Sequence, residues 1–128
     1  MIKLLHIMIR VKDIDKALEF YTKLFNMKFD RKKRLSDCEL YFLKDESKSI
    51  ELELTYNDET PHNGYECGTC FGHLAFSCES LDEFGKKLHS AGYDYLYKPF
   101  DFNGKGSKIA FIKDPDGNEI ELIEKIVW

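Results

Sequence analysis

Long apolar runs are absent from this 128-residue chain. The longest are stretches such as Leu4-Leu5 and Ile109-Ala110-Phe111-Ile112. A membrane-crossing helix takes about 20 apolar residues, so no span and no membrane partner is expected. The opening Met1-Ile2-Lys3-Leu4-Leu5-His6 lacks the charged, apolar and small-residue succession of a secretory leader, which points to the cytoplasm. A positive excess is missing too. There are 19 Lys and Arg against 23 Asp and Glu, for a formal net charge of −4. Non-specific nucleic-acid binding needs a basic footprint, so that partner class is excluded. The one basic run, Arg31-Lys32-Lys33-Arg34, reads as a solvated strand end. No G-x-G-x-x-G or P-loop motif occurs, so no nucleotide cofactor is implied. Of four cysteines, at 38, 67, 70 and 78, only Cys67-Gly-Thr-Cys70 forms a C-x-x-C pair. It has no second pair for a structural zinc, and a strand signal rather than a helix signal follows it. All four therefore read as free thiols of a reducing compartment.

What is present is ordinary globular material, 43% hydrophobic and 33% charged, at the length of one domain. Its most informative feature is an internal duplication. His6-Ile-Met-Ile-Arg-Val-Lys-Asp-Ile-Asp15 is echoed 67 residues later by His73-Leu-Ala-Phe-Ser-Cys-Glu-Ser-Leu-Asp82. Leu43-Lys-Asp45 is matched by Ile112-Lys-Asp114, and Leu52-Glu-Leu54 by Ile120-Glu-Leu122, at nearly the same offset. Order kept while the offset drifts slightly is what changes in hairpin length leave behind.

Each copy predicts a strand, a helix and three more strands. After the N-cap Asp13, the apolar residues Ile14, Ala17, Leu18, Tyr21, Leu24 and Phe25 fall on one helical face. In the second copy Ser80-Leu-Asp-Glu83 is a capping box. Leu81, Phe84, Leu88 and Ala91 form the stripe, and Gly92 supplies the stop. Strands are expected near 28–34, 38–44 and 49–56, then near 94–98, 107–113 and 118–125, with a turn at Asp114-Pro-Asp-Gly117. The segment 57–69 reads as a linker. The expected architecture is α+β, a single domain over 1–128 made of two βαβββ repeats, about 1–60 and 70–128.

Side chains alternate along a strand. Ile7, Ile9 and Val11 are expected to pack, leaving His6, Met8 and Arg10 on the other face. Leu74, Phe76 and Cys78 are expected to pack, leaving His73, Ala75 and Ser77. Leu52 and Leu54 leave Glu51, Glu53, Thr55 and Asn57, while Ile120 and Leu122 leave Glu119, Glu121 and Ile123. The repeat thus sets one His and one Glu at matched sites in each half. Taken singly, each would read as a wet-face residue. Reproduced together, His6, Glu53, His73 and Glu121 offer two imidazoles and two carboxylates, a donor set for a borderline divalent transition metal with positions left for water or substrate. His62 and His89 have no counterparts and read as loop and helix-surface residues.

Several stretches resemble glyoxalase I, the lactoylglutathione lyase family of the vicinal oxygen chelate superfamily. They are Leu5-His-Ile-Met-Ile-Arg-Val11, Leu18-Glu-Phe-Tyr-Thr-Lys-Leu-Phe-Asn-Met27, Ile50-Glu-Leu-Glu-Leu-Thr-Tyr-Asn57, Tyr65-Glu-Cys-Gly-Thr-Cys-Phe-Gly-His73 and Asp114-Pro-Asp-Gly-Asn-Glu-Ile-Glu-Leu122. The resemblance implies tandem βαβββ modules whose curved mixed sheets form a cleft, and a homodimer. It implies one divalent metal on His6, Glu53, His73 and Glu121. The short chain is similar to the nickel- or cobalt-activated members, zinc being the ion of many longer ones. The implied reaction turns the hemithioacetal of methylglyoxal and glutathione, or another thiol with a 2-oxoaldehyde, into S-lactoylglutathione through an enediolate. Glu121 is the implied base and Glu53 its assistant. Arg10, Asn57 and Lys105, or Lys108 in the same Gly-rich loop, are the implied contacts to the acidic thiol. Thr69 stands where some longer members carry a further Arg. Relatives of the same fold leave two other readings: a metal-dependent epimerase of the methylmalonyl-CoA type, and a ligand-sequestering resistance protein without the ligand set. A dioxygenase would need two His and one carboxylate on iron.

Overall fold

The structure, a computed structural model, describes residues 1–125. Two compact units divide it, Met1–Glu66 and a second from Cys67 onward. No helix among the described residues is long and apolar enough to cross a membrane.

The first unit runs β1 (His6–Arg10), α1 (Ile14–Leu24), β2 (Lys28–Arg34), β3 (Cys38–Lys44) and β4 (Glu51–Asn57). Its sheet has the order β1-β4-β3-β2, with β1 parallel to β4 and the other neighbours antiparallel. The parallel pair needs a crossover, and α1 is the helix within it. Asp13 caps α1 by accepting from Lys16 N at 3.1 Å. Ala17, Phe20, Tyr21 and Leu24 are buried from the helix, and Ile9, Val11, Leu43, Leu52 and Leu54 from the strands. Each fully buried Leu, Phe or Val contributes about 1.5–3 kcal/mol. Phe20 lies outside the expected stripe. It nevertheless falls on the buried face with Ala17, Tyr21 and Leu24, and its ring meets Tyr21 edge-on at 5.0 Å and tilts against Phe25 at 5.4 Å. Ile7, expected to pack, is exposed: β1 is a sheet edge, and its early residues have a strand on one side only.

The second unit repeats the plan with β5 (His73–Ser77), α2 (Leu81–Ser90), β6 (Tyr97–Asp101), β7 (Lys108–Lys113) and β8 (Glu119–Ile123), in the order β5-β8-β7-β6. Ser80 caps α2 through Glu83 N at 3.2 Å, and the Glu124 carboxylate takes Leu81 N at 2.8 Å. A carboxylate there also complements the positive end of the helix. The cap at the far end is Ala91, exposed rather than part of the buried stripe. The chain then turns out through Gly92 at φ +86°, which glycine adopts without strain. The sixth strand lies at Tyr97–Asp101, later than the expected 94–98. Asp94 is spent on a turn, its Oδ1 accepting from Tyr95 N, and Pro99 breaks the ladder between Tyr97 and Phe100. A residue without an N–H is tolerated in β6 because that strand is the sheet edge.

The turn at 114–117 is built by one side chain. Buried Asp114 accepts from Asp116 N at 2.9 Å and Asn118 N at 2.8 Å, and from Asn118 Nδ2 at 2.9 Å, while Gly117 sits at φ +88°. Both units are mixed-sheet α+β modules, as the duplication predicts. Cys38 is buried, Cys78 half-buried, and Cys67 and Cys70 exposed, all four as free thiols.

Candidate metal centre

In each unit a parallel strand pair brings one histidine to one glutamate. Backbone register sets His6 beside Glu51 and His73 beside Glu119. Glu53 and Glu121 lie two residues further along the same face, so the contact is diagonal in both units. His6 Nε2 lies 2.9 Å from Glu53 Oε2, and His73 Nε2 lies 3.0 Å from Glu121 Oε2. The two imidazoles are similarly open, 43% and 41% exposed, whereas the carboxylates are nearly buried, at 9% and 13%. Glu53 therefore does not belong to a wet face, although alternation puts it opposite the core leucines. It is buried together with Thr55, whose Oγ1 donates to Glu53 Oε1 at 3.2 Å.

Two aromatic residues that the sequence reading passed over repeat with the ligands. Phe42 is the ladder partner of Glu53, and Phe111 that of Glu121. Each ring takes the imidazole of its own unit edge-on, at 5.9 Å and 78° for His6 with Phe42 and at 5.5 Å and 82° for His73 with Phe111. The rings limit the imidazoles to orientations facing the carboxylates. Their signal in the sequence was the Leu43/Ile112 match, since each Phe directly precedes that residue.

Each pair suits a metal by its spacing. Two ligand atoms each about 2.1 Å from one ion, at right angles, stand about 3.0 Å apart, and both pairs have that separation. Imidazole nitrogen with carboxylate oxygen is also the donor chemistry of first-row divalent ions. Among the described residues no group of three or more His, Cys, Asp or Glu gathers around one point. What each half shows is thus a single His–Glu pair.

The cations around the first sheet sort into engaged and open ones. Arg31 bonds Asp30 and Glu51, both at 2.8 Å, with its guanidinium 4.0 Å over the Phe42 ring. Lys32 pairs with Glu39, and Arg34 bonds Asp58 at 2.6 Å. These hydrogen bonds hold the Asp30, Glu39 and Asp58 carboxyls below their usual range. Arg31, Lys32 and Arg34 of the basic run are thus paired with carboxylates of their own unit. Arg10 lies exposed at the end of β1, opposite Thr55 in register. Asn57 closes β4 and donates from Nδ2 to the Tyr65 hydroxyl at 2.8 Å. Lys105 is exposed in a loop organised by Asp101, whose carboxylate accepts from Asn103, Gly104 and Gly106 N at 3.2, 2.8 and 3.0 Å. Lys108 opens β7. His89 pairs with Asp94 at 3.0 Å on the helix surface, and His62 lies in an exposed turn. Neither joins a ligand pair.

Comparison with known proteins fits this geometry. The sequence model of the Glyoxalase/Bleomycin resistance protein/Dioxygenase superfamily matches residues 3–122. A lactoylglutathione lyase of Arabidopsis thaliana is 38% identical over 96% of this chain, which spans only 44% of that protein. The chain thus covers about half the length of this relative. The lactoylglutathione lyase of Escherichia coli O157:H7 is 36% identical, with 96% of this chain and 93% of that one aligned. Among solved structures, glyoxalase I from Zea mays superposes with a TM-score of 0.84 at 32% identity, covering 98% of this chain and 45% of that one. The chain belongs to the Glyoxalase/Bleomycin resistance protein/Dioxygenase superfamily, and within it to the lactoylglutathione lyase (glyoxalase I) family.

Proposed function

We propose that the protein isomerises the hemithioacetal of methylglyoxal and glutathione to S-lactoylglutathione, removing a reactive 2-oxoaldehyde. The observation that carries this reading is the doubled His–Glu pair, formed on the same diagonal of equivalent parallel ladders. Family membership and the lactoylglutathione lyase names of its relatives support it. In this reading His6, Glu53, His73 and Glu121 hold one divalent ion, nickel or cobalt before zinc. Such an ion would supply Lewis acidity that stabilises negative charge developing on the substrate.

The reaction moves a proton from one carbon to its neighbour and the hydroxyl proton from the first oxygen to the second, with no net oxidation. Glu121 takes the proton from the carbon bearing sulfur and oxygen and returns it to its neighbour, which leaves a thioester and an alcohol. Glu53 assists Glu121 in this reading. Arg10 is open to an anion, since no ion pair engages it among the described residues, and it receives a carboxylate of the thiol. Asn57 holds the peptide portion, with its amide oriented by Tyr65. Lys105, or Lys108, meets the terminal carboxylate. The working assembly is a homodimer in the cytosol, where the four thiols stay reduced.

The test is activity of the apoprotein titrated with nickel, cobalt and zinc against methylglyoxal plus glutathione. Metal-dependent growth of the thioester absorbance is the expected result. A protein purified without a stoichiometric ion, and silent with all three, would be a binder rather than a lyase.

A further inference from the structure

The two half-sites match at every ligand but differ at neighbours, among them the residue two places on from each glutamate. Thr55 Oγ1 donates to Glu53 Oε1 at 3.2 Å, while His6 holds Glu53 Oε2 at 2.9 Å, so both oxygens of Glu53 are engaged. The two residues are successive on one face of β4 and both are buried. In the second unit the position of Thr55 is taken by Ile123. Register sets Arg10 beside Thr55 in one ladder and Ser77 beside Ile123 in the other. Ile123 is buried and has no hydroxyl to give. Among the described residues His73 is the side chain set against Glu121, its Nε2 3.0 Å from Oε2.

We infer that Thr55 is a positioning residue that fixes Glu53 as a standing metal ligand, and that Ile123, by offering Glu121 no such bond, leaves Glu121 the carboxylate able to move and accept the proton. This rests on the metal-dependent lyase reading above and deepens it by naming what divides labour between two equivalent glutamates. A carboxylate bonded at both oxygens must break a contact before it can swing or take up a proton. One bonded at a single oxygen need not. The difference is a hydroxyl against a larger, purely apolar side chain, at matched positions of the two ladders.

The test compares Thr55→Val, Thr55→Ser and Ile123→Thr with wild type, each loaded with cobalt(II). Partners that orient a metal ligand are typically worth about 10–100-fold in metal affinity or activity. Thr55→Val is expected to weaken cobalt affinity about tenfold and to shift the visible cobalt absorption, with KM little changed. Thr55→Ser keeps the donor and should restore both within about twofold. Ile123→Thr should keep cobalt affinity and KM while lowering kcat about tenfold, by tying down Glu121. A Thr55→Val protein with wild-type affinity and absorption would overturn the inference alone, as would failure of Thr55→Ser to rescue. Wild type that binds no cobalt would overturn the functional reading and this inference with it. If Thr55→Val does not fold, Ile123→Thr decides, and an unchanged kcat there would overturn the inference.

Discussion

His73 Nε2 lies 3.0 Å from Glu121 Oε2, although the ladder sets His73 beside Glu119 and Glu121 beside Ala75. The offset of two residues keeps both side chains on one face of the sheet. Slipping either strand by one residue would turn His73 or Glu121 to the opposite face. The half-site therefore depends on the packing of Ile120 and Leu122, which pins β8 in register from the core side.

Glu121→Gln is nearly isosteric and should leave the fold unchanged, while kcat falls about 10²–10⁴-fold through loss of the base. Thermal melts and circular dichroism check the fold, and steady-state rates at saturating metal check the base. Undiminished turnover would remove Glu121 from the role.

If His6, Glu53, His73 and Glu121 hold one ion as proposed, His73→Ala and His6→Ala should each lower the affinity for nickel or cobalt by at least about tenfold. Equilibrium dialysis with elemental analysis measures it. Equal binding by either variant and wild type would show that the ion sits elsewhere.

Leu54→Ala should destabilise the protein by about 2–5 kcal/mol, because Leu54 is fully buried in β4 between the helix and the sheet. Denaturant unfolding at constant m-value gives the number. As β4 also carries Glu53, metal affinity should fall in the same variant.

Asp114→Ala removes the acceptor of three hydrogen bonds from a buried turn and should cost about 1–3 kcal/mol. Hydrogen exchange should show faster opening at 114–118 than in β5. A variant as stable as wild type would mean that the backbone of Pro115 and Gly117 holds the turn unaided.

Burial, with Glu124 nearby, pushes the Cys78 thiol up to about 11, and burial pushes Tyr95 up to about 12. Both groups are neutral in the folded state over a range where the unfolded chain would ionise them. Stability should therefore decline as pH rises above about 9, the model value for Cys, through the folded values. Urea melts at pH 8 and pH 10 test the sign. Only the thiolate reacts with iodoacetamide, so Cys78 should resist alkylation at pH 8 and react about tenfold faster per pH unit above it. Peptide mapping after short exposure reads this directly.

The repeat, both helices, both N-caps and five of the six later strands were legible because each follows from local rules: a 3.6-residue stripe, a two-residue alternation, a capping side chain. His6, Glu53, His73 and Glu121 stood out because duplication repeated both residue types, and the structure sets each His of the four beside the Glu of its own unit. What escaped depended on partners distant in sequence. Phe20 is the exception: it falls three residues after Ala17 and four before Leu24, on the buried helical face itself, where the local period alone places it. The shift of β6 came from Asp94 and Pro99 acting on an edge strand. Phe42 and Phe111 gain their roles only when β3 and β7 are aligned with the glutamate strands. Glu53 looked solvated because alternation gives the face of a residue and not what covers that face.

The strand order carries a consequence for biogenesis. In each unit the glutamate-bearing strand is the last to be made, yet it lies between the first strand and the β2–β3 or β6–β7 hairpin. Until β4 has left the ribosome, His6 has no carboxylate beside it and the edges it will join stay unpaired. Translation thus delivers each acidic ligand and the strand that closes the sheet in a single stroke, and a chain halted before Glu53 would have neither.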